Sequence, residues 1–277
     1  MKSAVDDLDR LVQAVLQSPK YRNVCPDVIR NIGVRELATR RSWKEALKAT
    51  KNKLHQVSGA YFDAGTRYAY WLDELKQATQ AADDASLRRV CKEIMKHHSS
   101  TRERLGILDQ FYASILAELP PVQRVLDIAC GLNPLAIPWM GLGKDVQYYA
   151  YDMYIDLVDF LNQFMAMIGV QGQAYACDIA YSPPPHQADL AFILKSLPCL
   201  EQLDRSASQR LLEAVQANYL LISFPVRSLG GREKGMVQNY EERFWELMSG
   251  KPWATQRFAF ATELAFLVKK TESQEKQ

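Results

Sequence analysis

The sequence predicts an α/β fold in which an all-helical extension precedes a mostly parallel sheet that ends in an antiparallel hairpin. Up to about residue 105, apolar residues recur at helical spacings of three and four. After Pro121, short apolar runs alternate with helical stretches, a rhythm typical of parallel strands buried on both faces. The last apolar run, 257–270, contains a short turn and predicts two antiparallel strands at the sheet edge.

Local signals support the individual elements. In the extension, helical spacing is clearest in 8–16 and 68–75, Ser42 is a suitable N-cap, and segment 57–66 predicts a loop. Five apolar runs predict the parallel strands: 124–130, 146–152, 173–178, 188–196 and 218–224. Helices are predicted between them at 134–142, 155–168 and 204–216. This alternation places helices on both faces of the sheet.

The composition is that of a folded protein with a sizeable core: the chain has 277 residues, of which 48% are hydrophobic and 24% charged. No apolar run approaches the roughly 20 residues of a membrane span. The N-terminus has neither the basic start nor the apolar core of a secretion signal. The five cysteines are scattered and odd in number, which indicates reduced thiols. We therefore expect a cytoplasmic protein that has no membrane partner.

Positive charge is concentrated near the N-terminus, although the net charge of the whole chain is only +2. Between Arg10 and Ala60 there are eleven basic residues and three acidic ones, a local excess of eight. Such a segment favours a polyanionic partner. The alternative is an ordinary solvated helix surface.

The turn after the first predicted strand has the composition of a ligand loop. It reads Ala129-Cys130-Gly131-Leu132-Asn133-Pro134, in which small residues and a glycine let the backbone approach a ligand closely. Asn133 is a suitable helix cap, and Pro134 suits the first position of the helix that follows. In a parallel sheet, a ligand of this loop lies at the carboxyl ends of the strands.

Two acids follow the next strands in register with this loop. Asp152 ends the second strand and is placed to accept hydrogen bonds from ribose hydroxyls, while Asp178 ends the third, where an adenine amino group typically lies. Alternatively, each is only a strand-end residue. The single glycine, Gly131, weighs against a dinucleotide, because a pyrophosphate requires G-x-G-x-x-G. With the closing hairpin, the set favours S-adenosyl-L-methionine and a Rossmann-like class I methyltransferase fold.

Further segments make the chain similar to a known family. It resembles the aminoglycoside-resistance 16S rRNA methyltransferases that modify guanine N7 in the ribosomal decoding site (the guanine 1405 type). The matching segments are KYRNVCPDVIR (20–30), KLHQVSGAY (53–61), HHSSTRERL (97–105), VLDIACGLNPLAI (125–137), ILKSLPCLE (193–201), SFPVRSLGGREKGM (223–236) with NY (239–240), and TELAFLVKK (262–270). They follow the family's order, whereas 62–96 shows no clear match.

The resemblance implies a set of cofactor-binding residues. They are Tyr61, His98, Arg104, Ala129, Gly131, Asp152, Asp178, Ile179 and Leu194. In this set Arg104 is expected to pair with the methionine carboxylate, and Asp152 to hold the ribose. His98 is included because it lies close to these positions in the sequence.

The resemblance also implies residues that the family needs for activity, which we predict as catalytic: Lys195, Arg227, Glu201 and Glu263. Guanine N7 carries a lone pair and no proton, so its methylation needs positioning rather than a general base. Lys195 and Arg227 are expected to anchor the phosphate or the O6 edge of a flipped nucleotide, with Phe224 and Pro225 as a platform for the base. Three of these residues also have a simpler interpretation: Lys195 as a strand-end lysine, Glu263 as a hairpin cap, and Arg227 as part of a mobile glycine-rich loop. Ser196 departs from the family, in which the position is apolar.

The resemblance further implies the partners and the domain layout. We expect residues 1–105 to form a helical ribosome-binding domain and 106–277 an S-adenosylmethionine-dependent methyltransferase domain. The expected substrate is 16S rRNA in the assembled 30S subunit, with no DNA partner, no metal and a monomeric enzyme. Two alternatives stay open: methylation of another decoding-site base, or a non-catalytic ribosome-binding protein. The proline-rich segment 181–187 has no assigned role.

Overall fold

The computed structural model of the chain describes residues 4–58, 66–81, 83–226 and 235–271. Within these ranges the helices are α1 (Ala4–Leu16), α2 (Pro26–Thr39), α3 (Trp43–Ser58), α4 (Tyr68–Gln80), α5 (Asp84–Met95), α6 (Ser99–Arg104), α7 (Leu108–Leu116), α8 (Ile137–Met140), α9 (Ile155–Met167), α10 (Leu197–Leu203), α11 (Ala207–Ala214) and α12 (Met236–Met248). The strands are β1 (Arg124–Ile128), β2 (Gln147–Asp152), β3 (Gln171–Ala176), β4 (Ala188–Leu194), β5 (Ala217–Pro225), β6 (Ala254–Ala259) and β7 (Glu263–Lys269).

The described strands form one seven-stranded sheet in the order β3-β2-β1-β4-β5-β7-β6. Strands β1 to β5 pair in parallel, whereas β7 is antiparallel to β5 and to the edge strand β6. This confirms the predicted parallel sheet and its closing hairpin. The chain order reverses between β1 and β4, and at such a switch point the carboxyl ends of the strands open a crevice for a ligand.

Each face of the sheet carries its own apolar core. On one face, residues of α4, α5, α7 and α9 pack together, with Phe111 and Phe160 almost fully buried. On the other face, residues of α10, α11 and α12 pack against the sheet, with Phe244 and Phe266 at the centre. The two cores give the three-layer arrangement that the alternation of strands and helices predicts.

Helices α1, α2 and α3 surround a third core, which includes Leu11, Ile29 and Leu54. By contrast, α4 and α5 contribute to a core of the sheet. The predicted division at residue 105 stays a prediction, but the packing sets α1–α3 apart from the helices that follow.

The structure differs from the predicted elements in several places. The helix predicted at 134–142 is a 3₁₀ turn followed by the short α8, and the one at 204–216 is the shorter α11, which follows an additional helix, α10. Helix α12 was not predicted, because polar residues interrupt its apolar positions and its buried residues lie near its end. Strand β6 begins at Ala254 rather than at 257, because edge-strand residues are exposed and carry little apolar signal. Of the predicted loop 57–66, Val57 and Ser58 belong instead to the end of α3, and residues 59–65 lie outside the described ranges.

No helix in the described ranges is both long enough and apolar enough to cross a membrane.

Candidate functional site

A cavity lies at the carboxyl ends of the parallel strands, at the switch point of the sheet. Its walls bring together eight of the predicted cofactor residues: His98, Arg104, Ala129, Gly131, Asp152, Asp178, Ile179 and Leu194. Lys195 also lines it, and α2 and α3 contribute Val28 and Val57. Tyr61 and Arg227 lie outside the described residues.

The turn after β1 explains why a glycine is present. Gly131 has φ +51°, and a Cβ atom there would lie 2.7 Å from Cε1 of the His98 ring. A side chain would therefore be strained and would collide with His98. Ala129 (φ 53°) and Lys195 (φ 57°) are non-glycine residues in the same left-handed region. Strain of this kind is concentrated at functional sites, and here both residues line the cavity.

Asp152 is fixed by the backbone around it. Its Oδ2 accepts a hydrogen bond from the Gly131 amide at 2.9 Å, and its Oδ1 accepts from the Met153 and Tyr154 amides at 2.7 and 3.3 Å. Burial raises the pKa of this carboxyl, and the three amide donors oppose that rise. Carboxylate oxygens have acceptor capacity beyond these bonds, which suits the hydroxyls of a ribose.

Asp178 is held partly by the N-terminal helices. Its Oδ2 accepts from Nδ2 of Asn31 on α2 at 2.9 Å, and its Oδ1 accepts from the Ala180 amide at 3.1 Å. Burial raises the pKa of Asp178, and the Asn31 hydrogen bond opposes this. The carboxylate is oriented at the cavity wall, where it can accept from an amino group.

Arg104 is fully buried and forms a paired contact with Glu263. Its Nε donates to Oε2 at 3.0 Å and its Nη2 to Oε1 at 2.7 Å, while Nη1 donates to Asn133 Oδ1 at 2.8 Å. A guanidinium has five N–H donors, so two remain for a ligand carboxylate. Arg104 also lines the cavity, and the predicted contact with the methionine carboxylate stays a prediction.

Glu263 lies next to the cavity and contacts two cationic residues of the cavity wall, Arg104 and Lys195. Its Oε2 is 3.2 Å from Nζ of Lys195, which is also 2.8 Å from Oε2 of Glu103. Burial alone would raise the pKa of Glu263, but Arg104 and Lys195 outweigh it and hold the pKa below its usual range. Glu263 therefore orients both cations as an ionised carboxylate.

Asn133 corrects the prediction of a helix cap. It is the first residue of a 3₁₀ turn, and that turn has no side-chain cap hydrogen bond. Its Oδ1 accepts from Arg104 and, at 2.5 Å, from the Tyr112 hydroxyl, so its Nδ2 is directed to Asp127 Oδ2 at 3.0 Å. The Tyr148 hydroxyl donates to the same Asp127 oxygen at 2.6 Å. This buried network supports Arg104 from behind, and nothing in the local sequence pattern reveals it.

Two further predicted residues lie away from the cavity wall. Glu201 on α10 accepts from Arg243 of α12, with Nη2 at 2.8 Å and Nε at 3.1 Å from Oε1, and so ties the two helices together. Phe224 is 1% exposed and stacks on Tyr240. The expected base platform at Phe224 is therefore wrong, because this ring belongs to the core.

In the part of the chain that the structure describes, no group of three or more His, Cys, Asp or Glu residues is arranged to hold a metal ion. The donors and acceptors that do line the cavity suit an adenosine with an attached amino acid: carboxylates for hydroxyl and amino groups, a guanidinium for a carboxylate, and a side-chain-free turn for close approach.

Comparison with known proteins agrees with this geometry. A family described as "Ribosomal RNA methyltransferase (FmrO)" matches residues 17–267. A protein of Micromonospora rosea named "16S rRNA (guanine(1405)-N(7))-methyltransferase" is 36% identical over 267 residues, which cover 96% of this chain and 97% of the relative.

Solved structures of two related proteins cover nearly the whole fold. The 16S rRNA methyltransferase RmtF, crystallised with S-adenosyl-L-homocysteine, has a TM-score of 0.79 at 29% identity and covers 96% of this chain and 99% of its own. The 16S rRNA methylase RmtB has a TM-score of 0.77 at 29% identity and covers 95% and 98%. The chain belongs to the ribosomal RNA methyltransferase (FmrO) family.

Proposed function

We propose that this protein transfers a methyl group from S-adenosyl-L-methionine to N7 of guanine 1405 of 16S rRNA. The observation that carries the proposal is the cavity where Gly131, Asp152, Asp178 and Arg104 meet. It occurs in a chain that aligns over 96% of its length with a relative named for this reaction. A non-catalytic ribosome-binding protein would have no need for this set of oriented groups.

The fixed groups of the cavity assign each part of the cofactor. Asp152, held by three amides, accepts from the ribose hydroxyls, and Asp178 accepts from the adenine amino group. Arg104 uses its two remaining N–H donors for the methionine carboxylate. When bound, the cofactor supplies a methyl group on a sulfonium.

The chain's own contribution to the reaction is positioning. Guanine N7 attacks with its lone pair, so no side chain has to remove a proton. Lys195 stands at the end of β4 in the cavity wall, with its ammonium between Glu103 and Glu263. We assign it to the nucleotide: an ammonium there holds an oxygen of the guanine or of its phosphate while the base is out of the stack.

The N-terminal helices supply cations for RNA phosphates. Of the eleven basic residues there, several are engaged within the described part of the protein, such as Arg30 with Asp9 and Arg40 with Glu36. Within the described residues, the basic side chains of this segment with no ion pair or hydrogen bond are Arg10, Arg22, Arg41, Lys44 and Lys48, of which Arg10 lies 4.0 Å above the Trp43 ring. Arg22, Arg41, Lys44 and Lys48 are exposed; Lys44 and Lys48 lie one turn apart on α3, and Arg41 comes just before that helix. These four are the proposed phosphate contacts.

The proposed substrate is the assembled 30S subunit, because phosphate contacts and shape recognise folded RNA without a base code. This substrate places the enzyme in the cytoplasm, where we propose that it acts as a monomer and confers resistance to aminoglycosides.

The test is a methylation assay with purified 30S subunits and, in parallel, protein-free 16S rRNA. After reaction, borohydride and aniline cleave the RNA at 7-methylguanine, and primer extension locates the break. We expect a break at guanine 1405 in the reaction with 30S subunits, and little cleavage there in the reaction with protein-free 16S rRNA. A break at another guanine contradicts the choice of guanine 1405, and methylation without any break contradicts the N7 assignment. Equal reaction of free rRNA contradicts only the 30S requirement.

A further inference from the structure

Helix α2 of the N-terminal region runs along the cofactor cavity. It begins at Pro26, and its residue Val28 is part of the cavity wall. Asn31 follows three residues later on the same side of the helix and donates from Nδ2 to Asp178 Oδ2 at 2.9 Å. Asn31 itself does not belong to the wall, so any effect on a ligand passes through Asp178.

The start of α2 is attached to the loop that follows Asp152. The Cys25 amide donates to the Met153 carbonyl at 2.7 Å, and the Ile155 amide donates to the Asn23 carbonyl at 2.8 Å. These backbone bonds place α2 against the sheet before Asn31 is reached. The amide of Asn31 therefore has a defined position relative to the strand ends.

The Asp178 carboxylate depends on that position for its orientation. Rotation about its last side-chain bond is broad in energy, so one hydrogen bond leaves the plane of the carboxylate poorly fixed. The Ala180 amide holds Oδ1, and Asn31 holds Oδ2. Without the Asn31 side chain, only the hydrogen bond from the Ala180 amide would remain of these two. Because a hydrogen bond to an amino group weakens steeply with misalignment, the orientation decides how well adenine is held.

We propose that Asn31 is a positioning residue that sets the adenine specificity of the cofactor site. It fixes the plane of the Asp178 carboxylate so that this group accepts from the 6-amino group of adenine. The inference rests on the proposed function, which places adenine at Asp178. With this role for Asn31, the N-terminal helices contribute to the cofactor site as well as to the proposed RNA-binding surface.

The test is calorimetric binding of two ligands, S-adenosyl-L-homocysteine and S-inosyl-L-homocysteine, in which a carbonyl replaces the 6-amino group. Asn31→Ala should weaken the binding of S-adenosyl-L-homocysteine about tenfold, because the charge-assisted hydrogen bond between adenine and Asp178 loses its alignment. The affinity for S-inosyl-L-homocysteine should change little. The preference of the wild type for adenine should therefore narrow in this variant, which a merely structural role would not produce.

Asn23→Ala is the matched control. The Asn23 side chain donates to Asp156 Oδ2 at 2.5 Å, so it makes the same Asn–Asp bond across the same boundary, but Asp156 does not line the cavity. This variant should keep both affinities. Alanine favours a helix more than asparagine does, so Asn31→Ala should fold, and thermal melting without ligand checks this. If it does not fold, Asn31→Ser replaces it.

An unchanged preference for adenine in the folded Asn31 variant overturns the inference, as does an equal narrowing in Asn23→Ala. A wild-type protein that binds neither ligand overturns the proposed function itself, and the inference with it. A wild type that binds S-adenosyl-L-homocysteine while the Asn31 variant behaves identically leaves the proposed function standing and removes only the role of Asn31.

Discussion

The Arg104 guanidinium donates two hydrogen bonds to the Glu263 carboxylate, and both side chains are completely inaccessible to solvent. The pair joins α6, which precedes the sheet, to β7, which closes it. Breaking a buried pair from one side is costly, because the remaining charge stays buried without compensation. Since Lys195 shares the same carboxylate, Glu263 supports two cations of the cavity at once.

Glu263→Gln should lower the free energy of unfolding by about 3–5 kcal/mol, because it leaves Arg104 and Lys195 without the charge between them. Urea denaturation at pH 7 measures the change. The exposed Glu242 of α12 gives the matched control: Glu242→Gln should change stability by less than about 0.5 kcal/mol. A loss at Glu263 no larger than that of the control would contradict the role of the buried pair.

The effect of Glu263→Gln should also depend on pH. The pKa of Glu263 is held below its ordinary value of 4.5, so the folded protein favours the ionised form. Its contribution is complete above pH 4.5 and is lost as the pH falls through the lower folded value. The difference between wild type and Glu263→Gln should therefore shrink below pH 4.5, as measured by unfolding curves. A constant difference from pH 7 to pH 3 would mean that lost packing, not lost charge, causes it.

Asp127 should have the opposite dependence on pH. Burial raises its pKa from 3.8 to about 7, although hydrogen bonds from Tyr148 and Asn133 oppose the rise. The folded state therefore holds the proton more tightly, and stability falls as the pH rises from 3.8 to 7. Between pH 5 and pH 8 the free energy of unfolding of the wild type should fall by about 2–3 kcal/mol relative to that of Asp127→Asn, which cannot ionise.

Unfolding curves of both proteins at the two pH values measure this. Asp145→Asn, which changes an exposed acid in the loop before β2, should show no such dependence. If the stability difference between wild type and Asp127→Asn is the same at pH 5 and pH 8, Asp127 does not titrate in this range.

Asp152→Asn should weaken binding of S-adenosyl-L-homocysteine about 10- to 100-fold, because the charge-assisted bonds to the ribose become neutral ones. Calorimetry measures the affinity. Asp189 is the matched control: its Oδ2 also accepts from two backbone amides, those of Gln123 and Arg124, but at the other end of the sheet. Asp189→Asn should bind as the wild type does. Full affinity in Asp152→Asn would remove Asp152 from the ribose site.

The sheet was predictable from the sequence because its central strands, β1, β4 and β5, are apolar runs, and because small or acidic residues end or follow β1, β2 and β3 at the cavity. Gly131, Asp152 and Asp178 were found in this way, since carboxyl ends of parallel strands meet at one edge. Helix α12 was missed because half of it is polar. These signals are local, and they report burial rather than contacts.

The contacts that orient the site could not be predicted, since they join residues far apart in the chain. Asn31 and Asp178 are separated by 147 positions, and Arg104 and Glu263 by 159. Asn133 resembles a helix cap by its place before a proline, yet its amide lies between Arg104 and Asp127. Such pairings depend on how the layers pack, which no single segment records.

The exposed cations of α3 should determine binding to the ribosome without affecting the cofactor. Lys44→Gln combined with Lys48→Gln removes two proposed phosphate contacts, so the slope of log affinity against log salt for 30S subunits should fall by roughly 1.5. Filter binding across salt concentrations measures the slope, and calorimetry should show unchanged affinity for S-adenosyl-L-homocysteine. Lys76→Gln combined with Lys144→Gln, an equal change at exposed lysines outside the N-terminal segment, is the control. If both double variants lower the slope equally, net charge and not the α3 surface governs binding.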